Sequence, residues 1–502
     1  MSRAVPLLSG SRIVTVPVGD DDVVLRPPPP PAHVVDVRGA VRDALAFPLS
    51  GEPLTRLARR GSRVTIVVEP PAFPLPGAQV DPRPVALATV LDELDRVGVP
   101  DDDVTLLVAG GLARQAGRRE LERLLPPPQA RSFHGDVVVH DAAGPDLVPV
   151  GFGEARIHSR VLEADLVVVV SSAESVVSGG PGALLAACDA PTIRGAAGAR
   201  SLVQASGEPA WRRALAVEEA VASRVGLVGV SLVLDHPRLT GRFRDFPHAA
   251  GSLEHVARSP IRRLYSLLPA SVRRSALRDL RRSIAAADVY AGLPSVAHAE
   301  ALVRMIDLRG VAVAEPLDAI VVGVPWIGPH VPREPLNPIT SAATALGVAL
   351  RQWRDAFPVR DDGTLVLVHS LTRSFAGPAQ DPYRILFDAL RGGDEEAIAD
   401  AERVAATDER ALKVYRSRRA CHPLLPFADW AGCAPALARL GRVLVAESRD
   451  AVAARALGFV PSHSVASALE MAHGVAGGRA RLGVLLAPPY PPLLVGRSGQ
   501  PL

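Results

Sequence analysis

The chain has 502 residues, more than one hydrophobic core usually holds, so two domains are expected. Hydrophobic residues make up 48% and charged residues 22%, a globular composition, and 56 basic against 53 acidic residues leave a net charge of +3, which argues against a general nucleic-acid or membrane-surface binder. Three cysteines (Cys188, Cys421, Cys433) form neither a disulfide framework nor a CxxC pair, no apolar run approaches the roughly 18 residues of a spanning helix, and the N-terminus lacks a signal-peptide core, so the expected location is cytoplasmic.

Arg26 to Pro31 (RPPPPP) reads as a stiff spacer. Ser62 to Val68 is a continuous β-branched run, the mark of a buried strand. Val85 to Val97 places Leu87, Val90, Leu91 and Leu94 at helical spacing. Val104 to Ala109 is the next strand, and Arg118 to Leu125 a helix that Pro126 to Pro128 should stop. Val137 to Val139 and Leu166 to Val170 are further strands. Strand, helix and strand with short connections predict βαβ units and a mainly parallel sheet.

From about Glu254 to Gly310 the pattern turns helical and Arg-rich. Between Arg258 and Arg282, Arg258, Arg262, Arg263, Arg273, Arg274, Arg278, Arg281 and Arg282 are offset only by Asp279. An anionic partner (nucleic acid, acidic protein, phospholipid surface) is one reading. With Tyr265 alone for aromatic interleaving, a solvated helical face is the favoured one. The alternation then resumes: strands at Asp318 to Val324, Thr364 to His369, Arg442 to Ala446 and Leu482 to Ala487, and helices at Ile339 to Trp353, Pro382 to Leu390, Ala451 to Leu457 and Val465 to His473. The expected fold is α/β: two α/β domains with mainly parallel sheets and an interdomain cleft. The first spans 1–310, with the Arg-rich helical insertion at about 254–300, and the second 311–502.

Of the basic residues 55 are arginine and one, Lys413, is lysine. Arginine is a poor nucleophile, so any mechanism that needs an amine has one candidate. There is no Walker loop, no HExxH and no GxSxG, and Gly151 to Arg156 only approximates a dinucleotide turn. The loop Ser171 to Gly182 (SSAESVVSGGPG) follows the strongest strand. Glycines there suit either an anion held by free N–H groups or a tight turn that binds nothing. Histidines are scattered: His134, His140 and His158 in the first domain, His330 and His369 after strands of the second.

Six segments in order resemble the nickel-dependent lactate racemase family. They are the approach to the first strand (Ala40 to Val68), VTLLVAGGLARQAGRREL (Val104 to Leu121), HDAAGPDLVPVG (His140 to Gly151), Val161 to Ile193, EPLNPITSAATALG (Glu334 to Gly347) and Arg455 to Tyr490. The resemblance implies racemisation or epimerisation of 2-hydroxy acids. A hydride passes to a lysine-tethered nickel pincer nucleotide and back, with a histidine base on each face.

The positions that would carry this chemistry are replaced. Ala113 stands where the family has a histidine, before Arg114. Val176 stands at the second base, although Glu174 is retained. Ser178, Gly179 and Gly180 remain, but the lysine position falls at or near Gly182. No histidine occurs among Arg194 to Arg200, and Phe73 takes the arginine position of the early loop, here EPPAFP. The family's glutamine and lysine on the second-domain helix fall at Ala342 and Ala345.

The implied protein has the family fold without its catalysis: no metal site, no tethered nickel nucleotide, and a small anion or a partner bound through Arg114, Glu174, Ser178, Gly179, Gly180 and Asn337. One alternative is an active racemase or epimerase rebuilt around His140, His330 or His369. Another is an interaction module acting through the Arg-rich insertion.

Overall fold

The computed structural model describes residues 3–31, 33–70, 78–206, 208–326, 336–393, 395–476 and 480–496. Positions 71–74 of the EPPAFP loop, His330, and the 334–335 start of the EPLNP segment lie outside them.

The first six-stranded sheet contains Val64–Val68, Val104–Val108, Asp136–Val139, Leu166–Ser172, Gly226–Leu234 and Ala286–Gly292. Numbered along the chain, their order across the sheet is six, five, four, one, two, three. All neighbours are parallel except the last strand, which runs antiparallel to Gly226–Leu234. The two central strands are apolar on both faces because helices cover both. Ile66 and Val68 pack among one set with Leu87, Val90 and Leu94, while Val67 and Val169 pack among another with Leu184 and Val217.

The second sheet is parallel throughout, in the order Val460–Pro461, Leu440–Ala446, Val359–Val368, Leu317–Gly323, Leu482–Leu485, Val23–Leu25. The fold is therefore α/β with mainly parallel sheets, as expected.

Four expectations need correction. Residues 3–25 do not join the first sheet. The hairpin Arg3–Ser9 and Arg12–Val18 packs Val5, Leu7, Val16 and Val18 against Val321, Val366 and Val368, and Val23–Leu25 adds an edge strand beside Leu482–Leu485. The Arg-rich unit is shorter than 254–300. Its helices are Ala250–Arg258, Pro260–Leu267 and Ala270–Arg278, after which Ala286–Gly292 and the helix Pro294–Arg309 belong to the first core.

The prolines at 126–128 stop nothing. Pro127 opens a helix, Pro127–Ser132, because a first-turn proline gives up an N–H that has no partner there. Finally, Ile339 to Trp353 is not one helix. An α-turn Pro338–Ala342 runs into a π-turn Ala343–Val348 and a 3₁₀ turn Ala349–Arg351, and Trp353 enters a short strand paired with Leu493–Val495.

Candidate functional site

The strand order of the first sheet reverses between Val64–Val68 and Leu166–Ser172, and crevices open at the carboxyl ends of such a pair. Glu69 follows the first strand and the SSAESVVSGGPG loop follows the second. The two meet: the Gly179 N–H donates to the Glu69 carboxyl. Beside them a cavity of about 300 Å³ lies between the segments built on the two large sheets. The segments around the first sheet contribute Glu69, Gly110 to Ala113, Val177, Ser178 and Ala186. Those around the second contribute Thr340, Ala343, Thr344, Gly347, Val348 and Arg351 along one irregular helix, with Gln380, Tyr383 and Asp429 behind it.

The walls are mostly small and apolar, and two ionisable groups stand out against them. Glu69 is half-buried, and desolvation lifts its carboxyl to about 7 despite the Gly179 N–H. Arg351 is 7% exposed, and its burial lowers the guanidinium to about 10. Its Nη1 donates to the Gly347 carbonyl at 3.2 Å, while its Nε has no partner. Among the described residues no carboxylate lies within ion-pair distance of it. A buried cation left in that state is costly unless an anion completes it. Across the cavity wall the Tyr383 hydroxyl donates to Asp429 at 2.8 Å.

The residues singled out from sequence are divided by the structure. Ala113 and Ser178 line the cavity, and Ser178 shares a 2.8 Å hydroxyl contact with Ser175. Arg114 is turned to Glu120 and the Gln115 carbonyl and is not in the lining. Glu174 is 2% exposed and bound to Arg309 at 2.9 Å, so it serves an internal ion pair. Asn337 caps its helix by accepting from the Thr340 N–H.

The glycine pair is a packing seat, not a free cradle. Gly180 has φ of +50° and donates to Ser171 Oγ at 2.9 Å, and a Cβ there would stand 2.3 Å from His298 Cβ. Gly182 packs on the Val177 carbonyl. Val176, Ala342 and Ala345 are buried in cores away from the cavity. The cavity-facing positions of the second-domain helix are 340, 343, 344, 347, 348 and 351, so 342 and 345 point elsewhere.

Among the described residues no histidine lines the cavity. His140 donates from Nε2 to the Cys188 carbonyl at 2.8 Å, and His369 is buried beside Ser341; burial holds both near 4. Sequence reasoning missed Glu69, Arg351 and His298. The last donates from Nε2 to the Ser175 carbonyl at 2.9 Å and so fixes the loop.

A family cofactor tethered through lysine does not fit these residues. Among the described residues lining the cavity there is neither lysine nor histidine, and Lys413 sits on the exposed side of Glu409–Arg416.

A doubly wound α/β protein with a ligand-sized cavity between its domains is the class this defines. Residues 10–182 match the lactate racemase N-terminal domain family. The fold is similar to that of the lactate racemase apoprotein from Thermoanaerobacterium thermosaccharolyticum, at 15% identity and a TM-score of 0.60, covering 96% of this chain and 98% of that one. The likeness to the lactate racemase N-terminal domain family thus spans residues 10–182, and beyond them it is one of fold. It is also similar, at 12% identity and a TM-score of 0.48, to a Thermotoga maritima protein, over 91% of this chain and 97% of that one. No curated protein matches it in sequence.

Proposed function

We propose that the protein binds a small organic acid in the cavity between its domains, in the cytoplasm, without the tethered-cofactor catalysis of its family. The observation that carries this is Arg351: a buried guanidinium on the cavity wall with an unpartnered Nε, raised by the charges of Glu208 and Asp429 but in ion-pair contact with no carboxylate among the described residues. A ligand carboxylate supplies the missing charge-assisted hydrogen bonds. The Ala, Gly and Val surfaces around it favour an acid with an apolar body over a phosphate-rich ligand. Among the described residues the lining offers no amine for a covalent link and no pair of histidines to work on opposite faces of a stereocentre.

Calorimetric titration of lactate, mandelate, hexanoate and a nucleotide into the wild type and Arg351→Gln tests this. The expected result is binding of at least one carboxylate, weakened about 30-fold or more in the variant. Silence across the panel, or equal affinity for both proteins, overturns it.

Glu69 favours a second reading, a live enzyme with a rebuilt site. A carboxyl near 7 at the head of a central strand is poised to exchange a proton at neutral pH. Loss of optical purity of a 2-hydroxy acid in the presence of wild type but not Glu69→Gln supports that reading. Unchanged optical purity with protein from nickel-supplied cells removes it.

A further inference from the structure

The Arg-rich helices carry a second site that is independent of the cavity. Pro260–Leu267 and Ala270–Arg278 are held to the body by their polar side. The Tyr265 hydroxyl donates to the Ser11 carbonyl at 3.0 Å, and Arg273 Nε donates to Ser11 Oγ at 3.4 Å. Their apolar side chains face outward. Ile261 is 53% exposed, Leu264 65% and Leu267 81%, with Leu268 and Val272 also exposed. A helix that hides tyrosine and shows leucine inverts the usual soluble pattern.

The charge around this face is equally unusual. Residues 250–282 hold eight arginines against Glu254 and Asp279, a local charge of +6 in a chain whose total is +3. None of the eight is in an ion pair among the described residues, although arginines elsewhere in the fold commonly are, as in Arg42–Glu93 and Arg83–Asp81.

We propose that this helical pair docks the protein on an anionic phospholipid surface, Leu264 and Leu267 entering the headgroup layer while the arginines meet lipid phosphates. Two features favour that occupant. The leucines stand out on a helix flank, which suits insertion into a fluid layer. A second copy of the same face would bring +6 against +6, which opposes self-association.

Co-sedimentation of the full chain with vesicles of phosphatidylcholine alone, or mixed with phosphatidylglycerol, tests the proposal. The variants are Leu264→Ser with Leu267→Ser, and Arg263→Glu with Arg278→Glu. All four positions are surface residues, and thermal melts confirm that each variant folds.

The expected result is binding of the wild type to the anionic vesicles only, weakened about tenfold or more in each variant and by added salt. Failure of the wild type to bind overturns the proposal. So does loss in the arginine variant alone, which is mere electrostatic adsorption. A dimer in solution that the leucine variant dissolves, or an acidic protein that competes with the vesicles at lower concentration, assigns the face to that other occupant and overturns it as well.

Discussion

The Gly179 N–H points at the Glu69 carboxyl across the head of the first sheet, joining the ends of the two strands where its order reverses. A loop whose glycines look made for an external anion thus serves an acid of the protein itself. That acid is still held near 7, because one N–H does not offset its desolvation.

Glu69 makes the protein less stable as pH rises. Its carboxyl moves from 4.5 to about 7 on folding, so between those values the unfolded chain has released a proton that the native state keeps. The stability it contributes is complete below 4.5 and gone above 7, and its size is at most about 3 kcal/mol, less for partial exposure. Across this window the urea midpoint of the wild type should fall relative to that of Glu69→Gln, whatever slope the histidines impose on both proteins. Parallel curves would remove Glu69 as the cause.

Arg351→Leu should separate stability from binding. Replacing a buried cation that Glu208 and Asp429 offset only in part by an apolar side chain should stabilise the ligand-free protein by about 1–3 kcal/mol and abolish carboxylate binding. Denaturant unfolding without ligand is the measurement. A less stable variant would show that Arg351 is already satisfied internally.

Glu174 and Arg309 form an ion pair in which both side chains are 2% exposed. Glu174→Leu alone leaves a buried guanidinium and should cost about 3–5 kcal/mol, whereas Glu174→Leu with Arg309→Met should recover most of it. Equal losses in the single and double variants would mean that the pair is not coupled.

Acid should unfold the protein through its histidines. Burial lowers His140, His298, His369 and His422 from 6.5 to about 4, so between those values the unfolded chain takes up protons that the native state refuses. Stability therefore drops as pH falls through this window, by at most about 3 kcal/mol for each histidine. This outweighs the opposite contribution of Glu69. Circular dichroism should show cooperative unfolding above pH 4, and His298→Asn, alone or with a second such change, should move the midpoint downward.

The strands at 64–68, 104–108, 166–172, 317–323 and 440–446 were legible because unbroken β-branched runs have few other homes. Gly226–Leu234 escaped notice although every residue after its first is buried, since its glycines and serine interrupt the run. The cleft-facing loop was legible by position, but the use of its N–H groups was not. Arg351 carried no sequence signal at all: it is one of 55 arginines, and only the fold shows that it is buried on the cavity wall with no ion-pair partner among the described residues. Ala342 and Ala345 misled because a π-turn shifts which positions face the cavity, and a regular 3.6-residue period does not foresee that.

The edge strand Val23–Leu25 closes a sheet whose neighbouring strand, Leu482–Leu485, is made more than four hundred residues later. During synthesis the opening residues wait, unmatched, while more than four hundred others emerge and the first sheet assembles beside them. Completion of the second sheet is thereby deferred until Leu482–Leu485 has been made. A nascent chain arrested before Leu482 would present a finished first half and an open β edge, the form in which a chaperone should find it.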